Sequence, residues 1–175
     1  MSEKNNQDSQ QTEDRVNSIK LELKAVIDGE IIKLEEIEDP VFSSKMIGDG
    51  YGIIPTGKNI YSPIVGKVEE IASTKHAVYL SSANNIKLLI HLGIDTIQLK
   101  GEGFETTLEK DMVVEEGDLL VSFDPDFIRK EGLNPVVSVI ILDQKEKEMD
   151  VVVYPSKKAK ANESLALKAN IYKKN

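Results

Sequence analysis

Gly, Pro, Asn and Asp cut this chain into short apolar segments, and that punctuation constrains the fold more than any other feature of the sequence. The segments read AVIDGEIIKL, GYGIIPTG, IYSPIVGKVEEI, HAVYL, IKLLIHLGI, MVVEEGDLLVSF, NPVVSVIIL and MDVVVYP. They are rich in Val, Ile and Tyr, side chains that suit a pleated, half-buried surface, and turn formers bound each of them. The expected class is all-β, an antiparallel β-sandwich or barrel with one or two short helices. LEEIED at 34–39 and DPDFIRKEG at 124–132 are the helical candidates. In the second, Asp124 is placed to cap, Pro125 to take the first helical position and Gly132 to stop the helix.

Three further local readings follow. An echo between IDGEIIKLEEI (27–37) and IVGKVEEI (64–71) suggests two similar halves, with each Gly at a tight bend. Glu-Gly-Asp in MVVEEGDLLVSF reads as the turn of a hairpin. The glycines of GDGYGI (48–53) and KGEGF (100–104) read as turns, since neither stretch fits a dinucleotide or Walker phosphate loop.

With 175 residues and 40% apolar content, the chain has material for one domain with a real core. Residues 1–20 carry almost no apolar anchor and read as a polar, disordered tail, leaving 21–175 as the domain. A net charge of −8 provides no long-range field to attract nucleic acid or an anionic membrane. The absence of cysteine removes disulfides, thiolate chemistry and Cys-based zinc sites. No apolar run approaches the ~20 residues of a spanning helix, and the N-terminus has no apolar signal region. The expected location is cytoplasmic.

Both histidines of the chain fall within TKHAVYLSSANNIKLLIHLGIDT, residues 74–96, which reads as two strands joined by the turn SSANN. A turn centred between Ala83 and Asn84 sets His76 directly opposite His91, with Cβ atoms ~5 Å apart. A turn centred on Asn84 and Asn85 makes them diagonal neighbours on one face. An odd-membered loop would put them on opposite faces. Two imidazoles held together among apolar neighbours are costly unless a site uses their lone pairs. A metal site, an acid/base pair and a phosphoryl-carrying imidazole all meet that condition. Catalytic zinc would need a third ligand such as Asp95 or Asp39, and no H-x-H or H-E-x-x-H spacing signals one. No G-x-S-x-G elbow is present for a serine nucleophile.

EDPVFSSKMIGDGYGIIPTG (38–57), IYSPIVGKV (60–68), TKHA (74–77), LLIHLGIDTIQLKGEGF (88–104) and VVEEGDLLVSFD (113–124) together resemble the glucose-type enzyme IIA of the bacterial phosphoenolpyruvate-dependent sugar phosphotransferase system. The likeness runs from about Ala25 to about Ile171, with the motifs in order and both histidines included. It implies an antiparallel β-sandwich of the duplicated hybrid type and no cofactor. It also implies a phosphoryl carrier that accepts from the histidine-containing phosphocarrier protein and donates to a sugar-specific EIIB domain. In the motif H-[FIL]-G-[IL]-D-T the phosphorylated residue maps to His91, modified at Nε2. The motif T-[KN]-H-A maps its active-site partner to His76 and the hydroxyl bonded to that partner to Thr74. Asp39 and Asp95 would lie at the rim, and with Val41, Phe42 and Ile47 they form the expected partner-binding face.

Other readings compete with this one. A zinc hydrolase of the lysostaphin type shares SP…G.V and HLG stretches but lacks the H-x-H ligand pair. A biotinyl or lipoyl carrier would need a lysine at a hairpin tip, whereas Lys75 is expected in mid-strand. A regulatory module that has lost transfer would have no need of both histidines.

Overall fold

Alternation along the strands gives the main sheet of this protein an apolar layer on each of its two faces. The computed structural model describes residues 18–173, so the expected polar tail lies, apart from its end, outside the described residues. The strands are β1 (Ile19–Lys24), β2 (Gly29–Lys33), β3 (Gly48–Pro55), β4 (Asn59–Tyr61), β5 (Gly66–Ile71), β6 (Ala77–Ser81) and β7 (Lys87–Leu92). They continue with β8 (Phe104–Glu105), β9 (Val113–Val114), β10 (Leu119–Phe123), β11 (Val137–Leu142), β12 (Lys147–Val153), β13 (Ser156–Ala159) and β14 (Leu165–Lys173). One eight-stranded sheet has the order β13-β2-β3-β11-β7-β6-β5-β9; β1-β14-β12 and β4-β10-β8 form two smaller sheets. Every pairing is antiparallel. The antiparallel, nearly all-β class read from the punctuation is the class observed.

Leu88, Ile90 and Leu92 of β7, Val78 and Leu80 of β6, and Val137, Val139 and Ile141 of β11 enter the main core with Leu23, Tyr51 and Leu167. The intervening residues Leu89, Ala77, Val136 and Ile140 join Leu34, Ile37 and Phe42 in a second cluster on the opposite face. Burial on both faces explains why the central strands read as unbroken apolar runs rather than as apolar-polar alternation. Each fully buried Leu or Ile contributes about 1.5–3 kcal/mol, so the main layer dominates stability and the smaller layer secures what lies above it.

Helical structure is sparse. A 3-10 turn covers Leu34–Glu36, helix α1 covers Pro40–Ser43, a second 3-10 turn covers Thr96–Leu99 and helix α2 covers Pro125–Lys130. α2 is built as its sequence indicates: the Asp124 carboxylate accepts from the amides of Asp126 and Phe127, Pro125 begins the helix, and Gly132 follows at φ +79°. α1 was absent from the sequence reading, although Asp39 caps it by accepting from Val41 N at 3.0 Å.

Four local expectations are corrected. The Glu-Gly-Asp turn forms, with Glu115 N donating to Asp118 Oδ2 at 2.8 Å, but its flanks diverge: β9 pairs with β5, and β10 pairs with β4 and β8. The chain crosses between sheets there instead of closing a hairpin. Gly29 and Gly66 of the internal echo lie in strands, not bends. A Cβ at either would stand 2.1 Å from the Ile54 carbonyl oxygen or 2.2 Å from that of Ser81, so both are glycine because a neighbouring backbone comes too close for a side chain. GDGYGI belongs to β3 and not to a turn. KGEGF does turn, with Gly101 and Gly103 at positive φ. Lastly, Lys75 lies in the β5–β6 turn, where Ala72 N bonds Ala77 O and Lys75 N bonds Ala72 O, and not in mid-strand.

Candidate active site

The β6–β7 hairpin closes through an odd loop. Ser82 N donates to Ile86 O at 2.9 Å, Asn85 N donates to Ser82 O at 2.9 Å, and Asn85 takes φ +59°. Ala83, Asn84 and Asn85 thus form a three-residue turn whose last member is left-handed, a conformation Asn tolerates better than most residues. Both even-membered registers expected from the sequence are therefore wrong: Ala77 pairs with His91, and His76 stands level with Leu92 through Leu92 N→His76 O at 2.7 Å. In a flat ladder this register would send the two imidazoles to opposite faces. They meet nonetheless, with ring centroids 5.2 Å apart and planes at 77°. His76 is not yet in the strand; it follows Lys75, held at φ +63°, and that bend redirects its side chain.

Hydrogen bonds set the orientation of both rings. His91 Nδ1 lies 2.7 Å from the carbonyl oxygen of Gly93. A carbonyl only accepts, so Nδ1 carries the proton and Nε2 of the neutral ring is left with its lone pair. His76 Nδ1 lies 2.6 Å from Thr74 Oγ1. With the hydroxyl donating, His76 presents Nε2–H. The pair thus offers one nucleophilic nitrogen beside one N–H donor, the equipment needed to receive an anionic group and steady its oxygens.

Burial shifts both titrations in one direction. The His91 pKa is lowered chiefly by desolvation, against the opposing pull of its bond to Gly93 and of the Asp39 and Asp95 carboxylates. The His76 pKa is lowered by desolvation and then by the positive charge that His91 would carry. Both imidazoles are held neutral at neutral pH.

Phe42 is buried, and its ring centroid is 5.1 Å from that of His91 at 55°. It supports the imidazole from α1. Val41 beside it is 47% exposed, and Ile47 is half-buried against the second cluster. Asp95 stands exposed at φ +59° where the chain leaves β7. Two exposed apolar residues escaped the sequence reading, Met46 at 73% and Ile97 at 60%, and each is within two residues of one that was named. The carbonyl of Gly93 and the hydroxyl of Ser138 also escaped it. Gly93 is visible in HLGID only as a glycine, and Ser138 gives no signal until strand pairing is known.

Strand pairing builds a cross-strand row on the outer face: Ile32, Gly52, Ser138, His91 and Ala77 stand level on β2, β3, β11, β7 and β6. Three small residues flank the imidazole and leave room for side chains above. A Cβ on Gly52 would stand 2.8 Å from Ile37 Cδ1. Among the described residues no group of three His, Cys, Asp or Glu side chains is arranged to hold a metal, and no helix is long and apolar enough to cross a membrane.

The glucose-specific EIIA component of the sugar phosphotransferase system in Staphylococcus epidermidis is 41% identical over 73% of this chain and 77% of its own length. The corresponding component of Staphylococcus aureus is 42% identical over 74% and 78%. Among solved structures, the glucose permease IIA of Mycoplasma capricolum superposes with a TM-score of 0.77 at 32% identity, covering 85% of this chain and 96% of that one. Residues 21–147 match the family model described as phosphoenolpyruvate-dependent sugar phosphotransferase system, EIIA 1. The chain therefore belongs to the EIIA family of the phosphoenolpyruvate-dependent sugar phosphotransferase system and is a phosphoryl-carrier component of that system.

Proposed function

We propose that His91 accepts the phosphoryl group at Nε2 from the histidine-containing phosphocarrier protein and passes it to a sugar-specific EIIB domain, in the cytoplasm. The observation that carries this reading is the 2.7 Å contact of His91 Nδ1 with the Gly93 carbonyl, which leaves Nε2 as the attacking atom next to His76. Transfer between imidazoles passes through a loose, metaphosphate-like state, so the protein contributes positioning and charge stabilisation. His76, its tautomer set by Thr74, donates Nε2–H to the phosphoryl oxygens. The surrounding Leu and Ile side chains limit hydrolysis of the P–N bond.

Donor and acceptor dock on the apolar ground formed by Val41 and Ile47, with Phe42 beneath and Asp39 and Asp95 at its edge. The two carboxylates repel a bound phosphoryl and favour its release. Incubation with phosphoenolpyruvate, enzyme I and the phosphocarrier protein should add one phosphoryl group, stable in base and labile in acid. His91→Ala should abolish the addition. Label on Ser or Thr, or persistent labelling of that variant, would overturn the assignment.

A further inference from the structure

Ser138 is fully buried on β11, and its hydroxyl has no hydrogen-bond partner, alone among the buried side-chain polar atoms of the described residues. It stands directly opposite His91 in the β11–β7 ladder. Directly paired residues of an antiparallel ladder share a face, with Cβ atoms ~4.5–5.5 Å apart. Ile140, two residues along β11, and Val136, just before the strand, belong to the outer cluster with Leu89 of β7, which fixes that face as the one bearing the imidazole. On its other side Ser138 pairs with Gly52, which has no side chain to bond it. An orphan hydroxyl in an apolar layer is a cost to folding that Ala would avoid in the same volume.

The chemistry of loading supplies a use for it. The Nε2 lone pair of His91 forms the new N–P bond while the donor's P–N bond breaks and its electron pair returns to the donor's imidazole. The Nδ1 proton of His91 stays, held by the Gly93 carbonyl. The phosphorylated ring is therefore cationic, whereas the resting ring is neutral. The geometry points to Ser138 as a positioning residue for the phosphorylated state: its O–H turns the hydrogen away so that the oxygen lone pairs face the charged imidazole, a charge–dipole contact that the neutral resting ring does not offer. A hydroxyl can do this without backbone movement because its hydrogen is free to rotate. The other charges acting on His91 are those of Asp39 and Asp95 from the rim, and His76 faces it from the adjoining turn. Asp39 comes from the cap of α1 and Asp95 from the turn after β7, and Ser138 supplies the corresponding polarity from the sheet.

This inference rests on His91 being the phosphorylated residue, and the test separates the two claims. Ser138→Ala is compared with the native protein by thermal unfolding, by single-turnover loading from the phosphocarrier protein, and by nitrogen NMR titration of the phosphorylated His91 ring. The expected result is an unchanged or higher Tm, loading slowed about five-fold as for loss of one modest polar contact, and ring deprotonation at lower pH than in the native protein. Unchanged loading together with an unchanged ring titration would overturn the role of Ser138. A lower Tm with the ring titration unmoved would reduce Ser138 to packing and also overturn it. Failure of the native protein to load would instead defeat the functional reading beneath it.

Discussion

Ala77, not His76, stands opposite His91 in the β6–β7 ladder, and the two histidines touch because the chain bends at Lys75 before the strand begins. Lys75 occupies the left-handed region, which most residues enter at a cost of about 1–2 kcal/mol and Asn enters more easily. Lys75→Asn should leave stability within about 0.5 kcal/mol of native, whereas Lys75→Val should lower it by about 1–2 kcal/mol, because a β-branched residue resists positive φ. Chemical denaturation reads the difference. The Val variant should also unload its phosphoryl group more slowly, since His76 is the residue that the bend aims. Equal stability of the two variants would show that the bend carries no strain.

Both histidine pKa values are lowered in the fold from the ordinary value of about 6.5. Below that value the unfolded chain binds protons that the folded one refuses, so stability should be fully present above about pH 6.5 and decline as the solution is acidified toward the depressed folded values. Loading should follow the same titration, flat at neutral pH with its inflection below 6.5. Asp39→Asn retains an oxygen able to cap α1 but removes one of the carboxylates that raise the His91 pKa. That variant should move the inflection to still lower pH, measured as loading rate against pH. A shift to higher pH would contradict the electrostatics of the site.

His76→Gln should still accept from the phosphocarrier protein but donate poorly to EIIB, since an amide cannot take on positive charge as the phosphoryl departs. The loss in unloading should be about two orders of magnitude, the usual effect of removing one donor from a developing charge. Two single-turnover rates, one in each direction, decide the matter. Equal losses in both would mean that His76 serves mainly to hold His91 in place.

Much of this was legible in the sequence for a physical reason. Turn formers and β-branched runs act locally, so the class and α2 with its Asp124 cap could be inferred from short stretches, whereas the histidines meet through the bend at Lys75 and not through either register that the hairpin suggested. What the sequence concealed depends on partners distant in the chain. Asn85 determined the hairpin register by tolerating positive φ, a choice SSANN leaves open. Gly29 and Gly66 look like bend residues until a second backbone is seen against them. Ser138 acquires meaning only when β11 is laid beside β7.

Tyr51 tests the main core apart from the site. Its ring is fully buried, burial holds its hydroxyl protonated well past neutral pH, and Val26 N donates to that hydroxyl at 3.3 Å. Tyr51→Phe leaves the Val26 amide without a partner in an apolar interior and should cost about 1–3 kcal/mol. Loading by the folded fraction should be unchanged. An unaltered denaturation midpoint would mean that water replaces the hydroxyl.

The eight-stranded sheet separates the main core from the smaller cluster beneath His91. Changes on opposite sides of such a partition, with no shared neighbours, combine almost additively. Lineages carrying this fold can accordingly drift in the side chains around the imidazole, adapting to altered donors and acceptors, while the buried interior retains its own composition. The sheet acts as an evolutionary firewall: recognition can be rewritten on one side of it without renegotiating the architecture on the other.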